Sequence, residues 1–319
     1  MQETIEQPRV HVEQVAAFAV LLLVDSLHFV FARLLLPHIP PMTSAFYVLA
    51  IATVQVGLFA ATRRNVDWDL GRSRFAFFVA IGFLIAASTV LSYTAVAYVD
   101  AGTAAMLGKT GVIFGLLLSV FWLRERLRPI QWVGAALAIV GLVIVSYQPG
   151  STVALGALVI VASAFMYALH TALVKRYGQH MSFLGFFFYR LLLTTLFLFI
   201  FVVAFGNLVM PDAYTWLLLT IAGTVDVVIS RSLYYLTLRL LTMSLHTIIL
   251  TLSPVVSILV ALLLFQTFPS VSGLLGGATI LAGVYLATRG RYRTRARTVL
   301  RVTCCVFPSH PLTHSPCLV

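Results

Sequence analysis

Asp25, Lys109 and Asp226 carry full charges inside stretches of sequence that are otherwise nearly hydrocarbon. Each lies within an apolar run of the length, about 20 residues, that crosses roughly 30 Å of lipid. They stand eleven, eight and twelve residues into their runs. A charge at that depth costs from about 2.5 to more than 10 kcal/mol, so such residues turn toward a bundle interior or a wet cavity. His28 follows Asp25 by one turn and shares its helical face. Asp226 opens a polar stripe with Ser230, Tyr234 and Thr237 at relative positions 4, 8 and 11, the spacing of one helix face. His246, Ser253 and Ser257 form a second stripe at relative positions 0, 7 and 11. Lys109 is too deep for its stem to reach an interface comfortably and needs an interior partner or an anionic ligand. Arg33, Arg190 and Arg231 lie nearer to run ends, where snorkelling accounts for them.

These residues admit two chemistries. A desolvated Asp25 or Asp226 takes up a proton near neutral pH and couples proton movement to export of a neutral or cationic compound. Alternatively, Lys109 attracts a carboxylate or phosphate, and the chain exchanges anionic metabolites such as sugar phosphates or nucleotide sugars. A structural reading also stays open, in which an aspartate simply neutralises Lys109 or Arg231 as a buried pair.

The elements that must position these groups are transmembrane helices. With 61% hydrophobic and 10% charged residues and a mean hydropathy of +1.01, the chain exceeds what a soluble domain needs. Ten apolar runs occur, near 14–36, 42–62, 75–98, 101–123, 129–147, 154–174, 183–206, 214–237, 243–265 and 270–288. They predict an all-α integral membrane protein with no sizeable extramembrane domain. The formal charge of +11 does not signal nucleic acid, because Lys and Arg concentrate in alternate connections and in the tail: Arg63, Arg64, Arg72 and Arg74; Arg124, Arg126 and Arg128; Lys175 and Arg176; Arg239; and six arginines from Arg289 to Arg301. The connections 37–41, 99–100, 148–153, 207–213 and 266–269 contain neither. That asymmetry predicts ten spans with both termini cytoplasmic. The first run lacks a basic flank and a small-residue cleavage site and is read as a retained span.

Laid on itself with a shift of 142, the chain places His28 on His170, Tyr47 on Tyr189, Tyr93 on Tyr235, Gly134 on Gly276 and Gly141 on Gly283. Each half holds five apolar runs in the same order, which predicts a duplicated unit. Five is odd, so the second copy enters the membrane in the opposite sense. Two inverted five-helix repeats are an architecture of secondary transporters. Gly134 with Ala138, and Gly273 with Gly277, are four apart and offer small faces for close helix packing in lipid. Pro254 falls midway along the ninth run and predicts a bend there, mobile or static.

The segment Phe121-Trp-Leu-Arg-Glu-Arg-Leu-Arg-Pro-Ile-Gln-Trp-Val-Gly134, continued through Ala135-Ala-Leu-Ala-Ile-Val-Gly141, resembles the end of an EamA repeat of the drug/metabolite transporter superfamily. The second copy, Leu262 to Gly283, keeps the glycines but has Gln266-Thr267 where Glu125 would fall. Phe188-Tyr189-Arg190 and Leu252-Ser-Pro-Val255 are similar to the same group, and the resemblance covers about residues 14–288. It implies repeats over 14–148 and 154–290 and a basic tail over 291–319. It also implies a central cavity that opens alternately to each side, in a bacterial inner membrane, for small metabolites or drugs of amino-acid-like or similar kind. The implied partners are the lipid bilayer, a small-molecule substrate and, in the first mechanism, protons.

An enzyme or lipid-handling protein is the alternative of another class. Asp67-Trp68-Asp69 has an Asp-x-Asp form but stands in a short basic loop. No Asp-Asp-x-x-Asp, His-Glu-x-x-His or Gly-x-Ser-x-Gly motif accompanies it. Polar groups at several depths fit a pathway better than one catalytic face. Cys304, Cys305 and Cys317, with His310 and His314, match no standard metal spacing. No catalytic residue, metal or cofactor is expected.

Overall fold

A computed structural model describes residues 12–62, 68–122, 129–146, 152–178, 181–205, 208–234, 250 and 252–289. His246, Thr237, Glu125, Asp67 and the Cys-containing tail lie outside them. Among the described residues the secondary structure is helical throughout.

Helices α1 (Val12–Ser26) and α2 (His28–Leu35) divide the first apolar run; α3 (Pro41–Thr62) forms the second. A short α4 (Trp68–Ser73) leads to α5 (Phe75–Ala95), and the fourth run is again divided, into α6 (Ala101–Gly108) and α7 (Gly111–Phe121). Next come α8 (Pro129–Ser146), α9 (Val153–Tyr177), α10 (Phe183–Ala204) and α11 (Ala213–Ala222). A π-helical segment, Gly223–Ile229, extends α11 before α12 (Ser253–Phe265) and α13 (Val271–Arg289) complete the order. Five helices are long and apolar enough to cross a membrane: Pro41–Thr62, Phe75–Ala95, Val153–Tyr177, Phe183–Ala204 and Ala213–Tyr234. Apolar residues cover their outsides as well as their cores. Leu58, Leu158 and Leu217 are exposed on three of them, as lipid-facing helices require.

Small residues set the closest approaches. α8 and α13 make the most extensive helix pair, because glycines replace side chains along the seam. A Cβ added at Gly141 would sit 2.6 Å from the Gly276 carbonyl, and one at Gly134 would sit 2.5 Å from the Gly283 carbonyl. In lipid no hydrophobic effect draws helices together, so van der Waals contact at this range supplies the association. Elsewhere α5 packs on α9 and α10, and α3 packs on α10 and the π segment. Phe78 and Ile81 meet Phe186, Tyr189 and Leu193 in one buried cluster between α5 and α10.

The N-terminal ends of two helices are closed by aspartates. Asp100 caps α6 by accepting from the Thr103 amide at 2.9 Å and the Thr103 hydroxyl at 2.6 Å. Asp212 caps α11 by accepting from the Thr215 amide at 3.1 Å. Hydrogen bonds from Thr215 hold the Asp212 carboxyl below the ordinary carboxylate range. Its capping contribution is therefore present at neutral pH and is lost only as acid titrates it.

Pro254 does not kink a continuous described helix. It stands in the first turn of α12, where its missing N–H is one of the donors a helix start leaves unpaired anyway.

Gly141→Val should disrupt the α8–α13 seam, since its side chain meets backbone that cannot rotate away. Overpacking of this kind costs roughly 1–3 kcal/mol. A clear loss of thermal stability in detergent is expected, with a smaller loss for Gly115→Val, where an added Cβ meets nothing within 4 Å.

Candidate functional site

The irregular points of the fold coincide with its charges. α1 ends at Ser26, immediately after Asp25, and α2 starts at His28. At this break the Ser257 hydroxyl of α12 donates to the Ser26 carbonyl at 2.5 Å, and the Ser26 hydroxyl donates to the Leu23 carbonyl at 2.5 Å. Lys109 lies in the turn between α6 and α7. There the amides of Lys109, Thr110, Val112 and Ile113 all bond three residues back, and the Thr110 hydroxyl donates to the Leu107 carbonyl at 2.7 Å. Asp226 is inside the π segment. Non-α backbone at membrane depth is tolerated only where freed polar groups find partners or line a cavity, and short 3₁₀ and π stretches often mark functional positions.

These breaks converge on one cavity of about 360 Å³, within the range of small-molecule sites. Asp25 lies between two cations, with Lys109 Nζ at 3.7 Å from Oδ2 and the Arg231 guanidinium at 3.4 Å from Oδ1. The Ser253 hydroxyl also reaches Asp25. His28 Nδ1 is 2.8 Å from Asp226 Oδ2. The side chains of Asp25, Lys109, Arg231 and His28 keep 11%, 18%, 18% and 22% exposure, against 2% for Asp226. All five line the cavity, and Asp226 is the most deeply buried of them. The ring of Tyr93 meets His28 edge-on at 5.7 Å.

Seven of the sequence candidates line this cavity: Asp25, His28, Lys109, Asp226, Tyr234, Ser253 and Ser257. Ser230 is fully buried and is not among the lining residues. The expected stripe assumed α-helical phase from Asp226 onward, and the π segment widens the turn and shifts that phase. Asp25 and His28, expected on one face, are separated by the break at Leu27 and have different partners.

Three arginines assigned to snorkelling are engaged inside the protein instead. Arg231 holds Asp25, Arg33 donates to the Val96 carbonyl at the end of α5, and Arg190 is 4% exposed and lines the cavity. The bundle interior offers Arg231 and Arg33 acceptors that distance from a run end does not reveal. A serine knot was also missed. Ser163 of α9 meets Ser88 of α5 at 2.9 Å and Ser92 of α5 at 2.7 Å, hydroxyl to hydroxyl. Ser88 and Ser92 stand one turn apart in an apolar run, and that spacing was a signal available in the sequence.

The family model of the EamA-like transporter family matches residues 15–147 and again 154–289. The chain belongs to the EamA-like transporter family. It is thus a multi-pass membrane protein of a transporter family. It is 26% identical over 190 residues to the "Uncharacterized transporter YdfC" of Bacillus subtilis (strain 168). That match spans 58% of this chain and 62% of the relative's length. A crystal structure at 21% identity shares the fold, with a TM-score of 0.61 over 87% of this chain and 98% of the other. Within this EamA-like chain the site is defined by its own residues, since neither similarity names a ligand.

Removing the Asp25 charge leaves two cations facing each other. Asp25→Asn should lower thermal stability in detergent, and Asp25→Asn combined with Lys109→Gln should recover part of the loss. A double-mutant cycle should show coupling of roughly 0.5–3 kcal/mol. Additive losses would mean that the 3.7 Å pair is not energetically engaged.

Proposed function

We propose that this protein is an alternating-access carrier of ten spans, built as two inverted five-helix repeats over residues 14–148 and 154–290. It moves small polar metabolites of amino-acid-like kind across a bacterial inner membrane, with both termini cytoplasmic, and proton movement drives export. No catalytic step is assigned to it. The observation that carries this reading is the cavity itself, where charged side chains from three separate breaks in helical structure meet. Transporters commonly bind substrate and ion at such discontinuities near the midplane.

Contacts across the fold support the inverted repeat. Thr53 and Thr195 are 142 positions apart and share a hydroxyl–hydroxyl hydrogen bond of 2.7 Å. A residue bonded to its own repeat mate lies at a two-fold axis. The glycine seam obeys the same operation, because moving Gly134 against Gly283 by the repeat shift gives Gly276 against Gly141. Gly57 lies against Phe188, and the exchanged pair, Phe46 with Phe199, has ring centroids 5.6 Å apart. Such reciprocity is what a two-fold operator produces.

The cavity offers both signs. Lys109 and Arg231 suit a substrate carboxylate, which would compete with Asp25 for them, while Asp226 and the serine hydroxyls suit a donor group. The long Asp25 pairs, 3.4 and 3.7 Å, leave room for that competition. A second reading, exchange of anionic metabolites, draws on the charge balance of the lining. Lys109, Lys175, Arg190 and Arg231 stand against Asp25 and Asp226 among the described lining residues, and a cationic lumen attracts anions.

Proteoliposomes tested with labelled amino acids, sugar phosphates and nucleotide sugars separate the two readings. Gradient-driven movement of amino acids that responds to pH and is lost in Asp25→Asn fits the proton-driven carrier. Exchange of phosphorylated anions that is insensitive to the pH gradient and lost in Lys109→Gln fits the exchanger. Absence of flux for every class would return the enzyme and lipid-handling readings.

A further inference from the structure

We infer that the coupled proton is carried by the His28–Asp226 pair, separately from the Asp25–Lys109–Arg231 group that receives the substrate's anionic end. This assignment rests on the carrier reading and names its ion site.

The two groups share a cavity but differ in what they can exchange. Asp25 already has two cationic partners, so a proton arriving there must compete with both. Among the described residues Asp226 has one hydrogen-bond partner, the His28 ring at 2.8 Å through Oδ2. Its other oxygen, Oδ1, is buried without a hydrogen-bond partner among the described residues, and so are the hydroxyls of Tyr93 and Ser230. A buried carboxylate oxygen without a donor is costly, and a proton on it removes the cost by turning it into a donor.

The charge bookkeeping is simple. With neutral His28 donating from Nδ1 to the Asp226 carboxylate, the pair carries one negative charge. One added proton, at Nε2 of His28 or Oδ1 of Asp226, brings it to zero. A neutral pair moves through a low-dielectric interior at far lower cost than a charged one, so loading the proton and permitting the conformational change become the same event. The π segment adds a mechanical link, since Asp226 sits where the backbone already departs from α geometry.

The surroundings leave the pair as the labile site. Facing it are Asp25 from α1, Tyr93 from α5, Lys109 from the α6–α7 turn and Arg231 beyond the π segment. α3, α6, α11 and α12 contribute no charged side chain. Tyr47 of α3 is engaged with the Val209 carbonyl and Tyr214 of α11 with His38. The other half of the molecule cannot build the same pair. His170 is the repeat mate of His28, but the mate of Asp226 is Leu84. His170 is buried beside Tyr167, with ring centroids 5.2 Å apart. One proton per transport cycle follows.

The test uses the full-length protein in lipid. Infrared difference spectra recorded across a pH step, without substrate, should show a carboxyl or imidazole protonation signal. That signal should vanish in Asp226→Asn and in His28→Gln, persist in Asp25→Asn, and survive in the conservative Asp226→Glu. In proteoliposomes with a mixture of labelled amino acids, the ratio of pH-driven accumulation to equilibrium exchange should fall at least roughly tenfold in Asp226→Asn and His28→Gln, within the usual range of site–site coupling. A wild-type spectral signal unchanged in Asp226→Asn overturns the assignment, and so does accumulation that follows a sodium gradient instead of pH. If the wild type moves none of these probes, the carrier reading fails on transport while the spectra still decide where the proton binds.

Discussion

A carboxylate held between two cations inside an otherwise apolar helix bundle is the constraint on which this structure turns. Asp25, Lys109 and Arg231 come from regions 84 and 206 positions apart in the chain, as the separations from Asp25 to Lys109 and to Arg231 show. Bringing them together fixes α1, the α6–α7 turn and the end of the π segment relative to one another. Removing Asp25 leaves two cations uncompensated, a far larger loss than the pair's net contribution to stability, whereas removing one cation leaves the other to balance Asp25. The group therefore acts as a registration device as much as a binding element. Its partners are distributed so that helix breaks, not helix middles, carry the load.

Those breaks are possible because hydroxyl side chains take over the backbone's hydrogen bonds. Ser257 serves the Ser26 carbonyl and Thr110 serves Leu107, so the chain departs from α geometry without exposing polar backbone to lipid. The rigid counterpart is the α8–α13 seam, where Gly134, Gly141, Gly276 and Gly283 let two backbones touch. A seam without side chains has few alternative packings, whereas breaks bridged by hydroxyls have several. The conformational change that the proposed carrier requires would thereby fall on α1–α2, α6–α7 and the π segment, where the charges are.

Composition made the membrane class and the helical content legible in the sequence, because a lipid-spanning segment must be apolar over its whole length. Membrane depth alone marked Asp25, Lys109 and Asp226. It could do so because a charge there always needs an interior destination. What depth could not show was the destination. Arg231 and Arg190 lie near run ends, and only tertiary packing distinguishes a guanidinium that snorkels from one that turns inward. Helical phase failed at Ser230 for a local reason, since the π segment alters the turn after Asp226. The glycine faces were legible in spacing, while the Ser88–Ser163 contact joins two helices that no local pattern links.

The proposed inverted repeat would combine a symmetric scaffold with an asymmetric lining. Symmetry in the frame costs little, because Thr53 with Thr195 and the paired glycines are the same contact made twice or made with itself. Symmetry in the lining would be a liability. If Leu84 were acidic like its mate Asp226, the cavity would hold two equivalent carboxylate–histidine pairs and would present a substrate with two equivalent orientations. Breaking the pairing in one half gives the cavity a direction: His28 and Asp226 on one flank, with the cationic side chains of Lys109 and Arg231 holding Asp25 beside them. An object with distinct ends would then bind in one pose, which the proposed alternating-access cycle would present to each side of the membrane in turn.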